Sequence, residues 1–200
     1  MQTLLALDKQ TVSAAVKALK QGKLIVYPTD TAYALGADYL NSQALIDIQK
    51  LKGRQQFKPL PLIASDLSQV KKIANLTKPE LDLAEQYWPG PLTLLVKPKK
   101  ELPYELTLDK DLVAIRVPNQ AIARQIAAQM NRPIVSTSIN VTKQPAIFQP
   151  SEIIKLVPRA EELIELIIDG GVLPKVAPST IAQALNDKII IHRSGSIKLK

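Results

Sequence analysis

Residues 24–27, Leu-Ile-Val-Tyr, form an unbroken apolar run closed by Pro28, and helical patterns stand on both sides of it. A short apolar run bounded by turn signals reads as a buried strand. Proline has no N–H to continue a ladder, so it marks the strand's end. Upstream, Val12, Ala15, Val16 and Leu19 recur at helical spacing, with Asp8 as the expected cap, the helix running to Gln21 and Gly22 as the stop. Downstream, Ser42 opens a second helix whose buried side carries Ala44, Leu45, Ile48 and Leu51. Helix, strand and helix in succession predict an α/β protein. With 46% hydrophobic residues the chain is globular. Its 200 residues show no boundary, repeat or low-complexity tract, so a single domain over 1–200 is expected.

The remaining elements extend this pattern. Leu60 to Ala64 reads as a strand, with Pro61 fitting an edge or an irregular start. Ser65 or Asp66 caps a short helix to Ile73, and Thr77-Lys78-Pro79-Glu80 opens another that ends at Trp88-Pro89-Gly90-Pro91. Trp88 is expected to be a packing anchor. Strands are predicted over 92–97, 112–117, 133–135 and 166–169, and a hairpin over 179–193 turns at Asn186-Asp187. Asn119 is the expected cap of a helix to Met130. Short helical segments are expected from Ser151 to Val157 and over 161–166, and residues 98–110 form a polar loop with the features of a mobile flap.

Polar chemistry gathers where strands end. Thr29, Asp30 and Thr31 follow Pro28, Ser136-Thr137-Ser138-Ile139-Asn140 ends a later strand, and Lys52, Arg54 and Lys58 fall on a loop punctuated by Gly53 and Pro59. Hydroxyls beside clustered cations suit an anionic substrate. Taken alone, the same residues also fit a capped turn beside a solvated basic loop. Arg116 interrupts an apolar alternation and is expected to face a cleft.

Taken together, Tyr27-Pro28-Thr29-Asp30-Thr31-Ala32-Tyr33-Ala34-Leu35-Gly36, Lys52-Gly53-Arg54 and Lys58-Pro59-Leu60-Pro61-Leu62 resemble the YrdC-like family of threonylcarbamoyl-AMP synthases. Trp88-Pro89-Gly90-Pro91-Leu92-Thr93, residues 113–118, Ser136 to Asn140, Asp169-Gly170-Gly171, Pro178-Ser179-Thr180-Ile181 and Arg193-Ser194-Gly195 agree in order and spacing. The resemblance covers nearly the whole chain. It implies a twisted mixed sheet flanked by helices, with a concave basic cleft and no additional C-terminal domain.

The resemblance also implies a nucleotidyltransferase that joins L-threonine, bicarbonate and ATP into threonylcarbamoyl-AMP and releases pyrophosphate. The product serves modification of adenosine 37 in tRNA, through a downstream tRNA threonylcarbamoyl transferase. Lys52 and Arg54 would be catalytic and contact ATP, with Lys58, Ser138, Asn140 and Arg193 also binding ATP. Thr31, Arg116, Ser136 and Ser179 would bind L-threonine. Mg2+ would ride on phosphates and water, with no protein metal site. The chain departs from the family pattern after Asn140, where Val141-Thr142-Lys143 stands in place of a Ser-Gly pair, and at Ile139 and Pro178.

Composition narrows the alternatives. The formal net charge of +8 favours anionic partners, so tRNA or double-stranded RNA is a further candidate ligand, and a non-catalytic RNA-binding module is the competing reading. Against that reading, only 4% of the chain is aromatic. A divergent nucleotide hydrolase is the third. The absence of cysteine excludes thiolate chemistry and fits a cytoplasmic location. The first residues lack the basic start and length of a signal peptide, and no apolar stretch reaches the ~20 residues of a membrane helix. No P-loop motif is present, and a single histidine, His192, rules out a multi-histidine metal site and is expected to be structural.

Overall fold

A computed structural model describes residues 1–53, 58–107, 111–185 and 188–199. In chain order the first half comprises β1 (Gln2–Leu5), α1 (Thr11–Lys20), β2 (Leu24–Pro28), β3 (Tyr33–Ala37), α2 (Ser42–Leu51), β4 (Leu62–Ile63), α3 (Leu67–Ile73), β5 (Ala74–Asn75), α4 (Lys78–Tyr87) and β6 (Leu92–Pro98). The second half adds α5 (Tyr104–Thr107), β7 (Val113–Arg116), α6 (Ala121–Gln129), β8 (Ile134–Ser138), a 3-10 turn at Pro150–Glu152, α7 (Ile153–Leu156), α8 (Ala160–Leu163), β9 (Ile164–Asp169), β10 (Thr180–Leu185) and β11 (Lys188–Arg193). One mixed sheet runs β1-β9-β2-β3-β8-β4-β7-β6-β10-β11, with β5 paired to β6. The expected α/β class and the mixed sheet flanked by helices are therefore found.

The two sheet faces bury two apolar clusters. Ala15, Leu19, Ile25, Tyr27, Ile122, Ile126 and Ile134 pack under α1 and α6. Leu35, Leu45, Ile48, Leu62, Leu94, Ile115 and Val135 belong to the larger cluster, which α2 and α4 cover. Strand alternation divides the side chains. In β6, Leu92, Leu94 and Val96 are fully buried, whereas Thr93 and Leu95 line a cavity.

Several expectations need correction. β3 was not foreseen. It pairs antiparallel with β2, and Gly36 allows the close approach, since a Cβ there would lie 2.6 Å from the Tyr27 ring. β4 is central rather than an edge, parallel to β7 and antiparallel to β8. Pro61 precedes β4 and offers its carbonyl to Ser136 N–H at 2.9 Å, so it is the irregular start. Asp8 does not cap α1, which begins after Gln10. Thr11 Oγ1 instead donates to Leu5 O at 2.7 Å. Asn119 does not cap α6 either, since the helix starts one residue later with Gln120 at the cap position, and Asn119 N–H donates to Asp30. The supposed flap contains α5, where Leu106 is fully buried and Glu105 O accepts Leu60 N–H at 2.9 Å; residues 108–110 lie outside the described residues. The 161–166 span divides into the end of α8 and the start of β9. The turn at Asn186-Asp187 also lies outside the described residues.

Other expectations hold. Asp66 caps α3 through Gln69 N–H at 2.8 Å, and Thr77 with Glu80 forms a capping box on α4. Trp88 packs on the larger cluster while its Nε1 donates to Leu92 O at 2.7 Å.

Candidate active site

The turn between β2 and β3 is organised by Thr29. Its hydroxyl donates to Ala32 O at 2.7 Å and accepts the N–H groups of Thr31 and Ala32, both at 3.2 Å. This closure leaves Thr31 on the wall of a cavity of about 680 Å³ and turns Asp30 toward β7. The volume falls in the range of small-molecule sites, roughly 300–1,000 Å³.

Arg116, at the end of β7, is nearly enclosed, with 7% exposure. Its Nη2 is ion-paired with Asp30, its Nε donates to Gly90 O at 2.9 Å, and its Nη1 reaches Thr31 Oγ1 at 3.3 Å. Asp30 in turn accepts Asn119 N–H at 3.1 Å. The expected cleft-facing arginine is thus found, and the carboxylate of the turn is the group that orients it.

Parallel pairing of β10 with β6 sets Thr180 beside Leu92 and brings Ser179 to Thr93, with 2.8 Å between the two hydroxyls. Arg193, from the exposed edge strand β11, folds back over Ser179. Its Nε and Nη2 donate to Ser179 O at 3.1 and 2.8 Å, and Nη2 also reaches Ser179 Oγ at 3.0 Å. Gly195 permits this packing, since a Cβ there would lie 2.2 Å from Pro178 O. Burial, and then the like charge of Arg116, hold the Arg193 guanidinium below its ordinary range. Two cations that raise each other's cost share one cavity, and an entering anion would relieve both.

Lys58, Ser136 and Ser138 complete the polar wall with Thr31, Arg116, Ser179 and Arg193. Among the described residues lining the cavity there is no carboxylate. Lys52 and Asn140 stand one layer behind. Lys52 is 4% exposed, and its ammonium donates to Ser138 O at 2.6 Å, Asn140 Oδ1 at 3.1 Å and Asn140 O at 3.3 Å. Asn140 Oδ1 also accepts Ser138 Oγ at 2.6 Å, and its Nδ2 donates to Gln144 O at 2.6 Å. Lys52 therefore holds the loop that presents Ser138. Arg54 lies outside the described residues.

Sequence reasoning missed Thr93, Phe148 and the cavity-lining placement of His192, and it left Asp30 between two roles. Thr93 could have been found from alternation along β6. The other three depend on which distant segments the sheet brings together. As for metal, the described residues contain no cluster of three or more His, Cys, Asp or Glu side chains.

Tyr33 closes the floor. Its hydroxyl donates to Gly171 O at 2.7 Å and accepts Gly170 N–H at 2.9 Å. Burial pushes its phenol up to about 12, against a lowering by the Gly170 N–H.

Comparison with known proteins agrees with this fold. Residues 17–195 match the Sua5/YciO/YrdC family model, described as telomere recombination. A protein of Psychromonas ingrahamii named threonylcarbamoyl-AMP synthase is 34% identical over 188 residues, covering 92% of this chain and 98% of that one. The structure of P. abyssi Sua5 complexed with L-threonine superposes with a TM-score of 0.85 at 30% identity, over 94% of this chain and 55% of that one. This chain thus spans about half the length of the P. abyssi protein. E. coli YciO gives a TM-score of 0.84 at 28% identity, over 94% and 90%. By a family match through most of its length, by fold and by relatives that are named enzymes, this chain belongs to the Sua5/YciO/YrdC family.

Proposed function

We propose that the chain is a nucleotidyltransferase that makes threonylcarbamoyl-AMP from L-threonine, bicarbonate and ATP. The threonine ammonium first loses a proton, and the free amine then attacks the bicarbonate carbon, giving a carbamate with loss of water. A carbamate oxygen then attacks the α-phosphorus of ATP, and pyrophosphate leaves. Both steps join anions, so positioning and fixed positive charge are the main catalytic tools.

In this reading Arg116 receives the threonine carboxylate as a guanidinium fork, while Thr31, Ser136 and Ser179 hold the amino acid. Lys58, Ser138 and Arg193 face the nucleotide. Lys52 acts by fixing the Ser138–Asn140 loop and by adding charge close behind it, and Arg54 joins it at the reacting phosphate. Mg2+ would be bound mainly by phosphate oxygens and water, where it would shield the triphosphate. The product would pass to a tRNA threonylcarbamoyl transferase for adenosine 37, in the cytoplasm. No helix among the described residues is long and apolar enough to cross a membrane.

One observation carries the proposal. Seven side chains from the β2–β3 turn, the loop before β4, β7, β8, the start of β10 and β11 converge on one cavity rich in cations. The test is pyrophosphate release from ATP with Mg2+ and bicarbonate. Release that requires L-threonine is expected, whereas release without it, or none, overturns the assignment. Tight, salt-sensitive RNA binding without pyrophosphate release would support the non-catalytic alternative, including double-stranded RNA or tRNA as ligand.

A further inference from the structure

The cations of the cavity account for the phosphates of a nucleotide but not for its base. A nucleobase needs a flat, largely apolar partner. Among the described residues, three aromatic rings line the cavity: Tyr33, Phe148 and His192. Tyr33 is fully buried, with its hydroxyl committed to Gly170 and Gly171. Phe148 belongs to the connector held against β3 by the bond from Tyr33 N–H to Ile147 O, at 3.0 Å, so it sits on the turn side. His192 is exposed and lies on β11, at the far end of the strand order, beside Arg193.

The register of the last hairpin explains how His192 comes to face inward. Ile181 pairs with Arg193 and Ala182 with Ile191, which leaves His192 as the extra residue of a β-bulge. A bulge breaks the strict alternation of a strand and re-aims a side chain. Both His192 and its neighbour Arg193 therefore line the same cavity. The imidazole is further held by Gln183, whose Oε1 lies 3.1 Å from Nε2. Val176, Pro178 and Ile181 supply apolar surface on the same flank.

We propose that His192 is a nucleotide-binding residue that stacks on the base of ATP while Arg193 faces its phosphates. This rests on the reading of the cavity as an ATP site. The bulge sets ring and guanidinium side by side on one strand, so the pair grips a base and its phosphate chain together.

Calorimetric titration of the full chain with ATP, inorganic tripolyphosphate and L-threonine tests it. His192→Ala should weaken ATP binding about tenfold, the size of a lost base–aromatic stack. Tripolyphosphate and threonine affinities should stay unchanged, and His192→Phe should restore most of the ATP affinity. An unchanged ATP affinity in His192→Ala overturns the proposal. So does an equal loss for tripolyphosphate, which would make His192 a phosphate contact, or failure of His192→Phe to rescue. If the unsubstituted chain binds no ATP, the ATP reading of the cavity falls first and this proposal with it.

Discussion

The two flanks of the cavity present similar cations on very different supports. On the turn flank, Arg116 and Lys52 are 7% and 4% exposed and are tied to Asp30, Gly90, Ser138 and Asn140. On the β10–β11 flank, Arg193 hangs from an edge strand whose residues are all exposed, with Ile189, Ile190 and Ile191 in the open. A buried cation needs partners to exist at all, so on the turn flank binding residues are also structural ones. An edge cation is held mainly by the site it serves. The two flanks should therefore respond differently to the same kind of substitution.

The largest effect is expected for Arg116→Ala. It removes the carboxylate grip and leaves the partly buried Asp30 without its ion, so threonine-dependent pyrophosphate release should nearly vanish and stability should fall by about 3 kcal/mol. Adding Asp30→Asn should return much of the stability in urea unfolding while leaving activity lost. Full stability of the single variant would break the proposed difference between the flanks.

Lys52→Ala comes next. Truncation takes the ammonium away from Ser138 O and Asn140 O and leaves Asn140 Oδ1 with Ser138 Oγ alone, so a loss of about 1–3 kcal/mol should accompany a fall in release of about 100-fold. Arg193→Ala should raise the KM for ATP about tenfold with less than about 1 kcal/mol lost in thermal unfolding. Destabilisation equal to that of Arg116→Ala would show the edge to be as structural as the turn.

The smallest effect is a pH dependence of stability on the turn flank. The Tyr33 phenol is raised from its usual value near 10 to about 12, so its neutral form is favoured on folding. That contribution is complete below about pH 10 and is lost as pH rises toward about 12. Burial raises Tyr27 in the same direction. Alkaline unfolding curves should show a shallower decline over this range in Tyr33→Phe.

Much of this was legible in the residues. Apolar runs and periodicity marked β2, α2, α4 and β6, because burial of one face imposes a repeat that survives in any context. Motif order marked Thr31, Ser136, Ser138, Ser179 and Arg193 as a set. β3 escaped because Tyr33–Ala37 is apolar on both faces and carries a glycine, so it shows no alternation. β5 escaped as a strand of two residues whose pairing depends on its neighbour, whereas β4 falls inside the strand expected over 60–64.

By itself, then, the sequence determined the α/β class, the family and a set of polar residues of which seven line one cavity, since these follow from local pattern and spacing along one chain. Tertiary structure decided which groups hold and which receive: Asp30 on Arg116, Lys52 behind Ser138, Thr93 on Ser179, His192 turned inward by a bulge. Those assignments depend on strand order and register, which join segments more than eighty residues apart in the Asp30–Arg116, Lys52–Ser138 and Thr93–Ser179 contacts and leave no local signature.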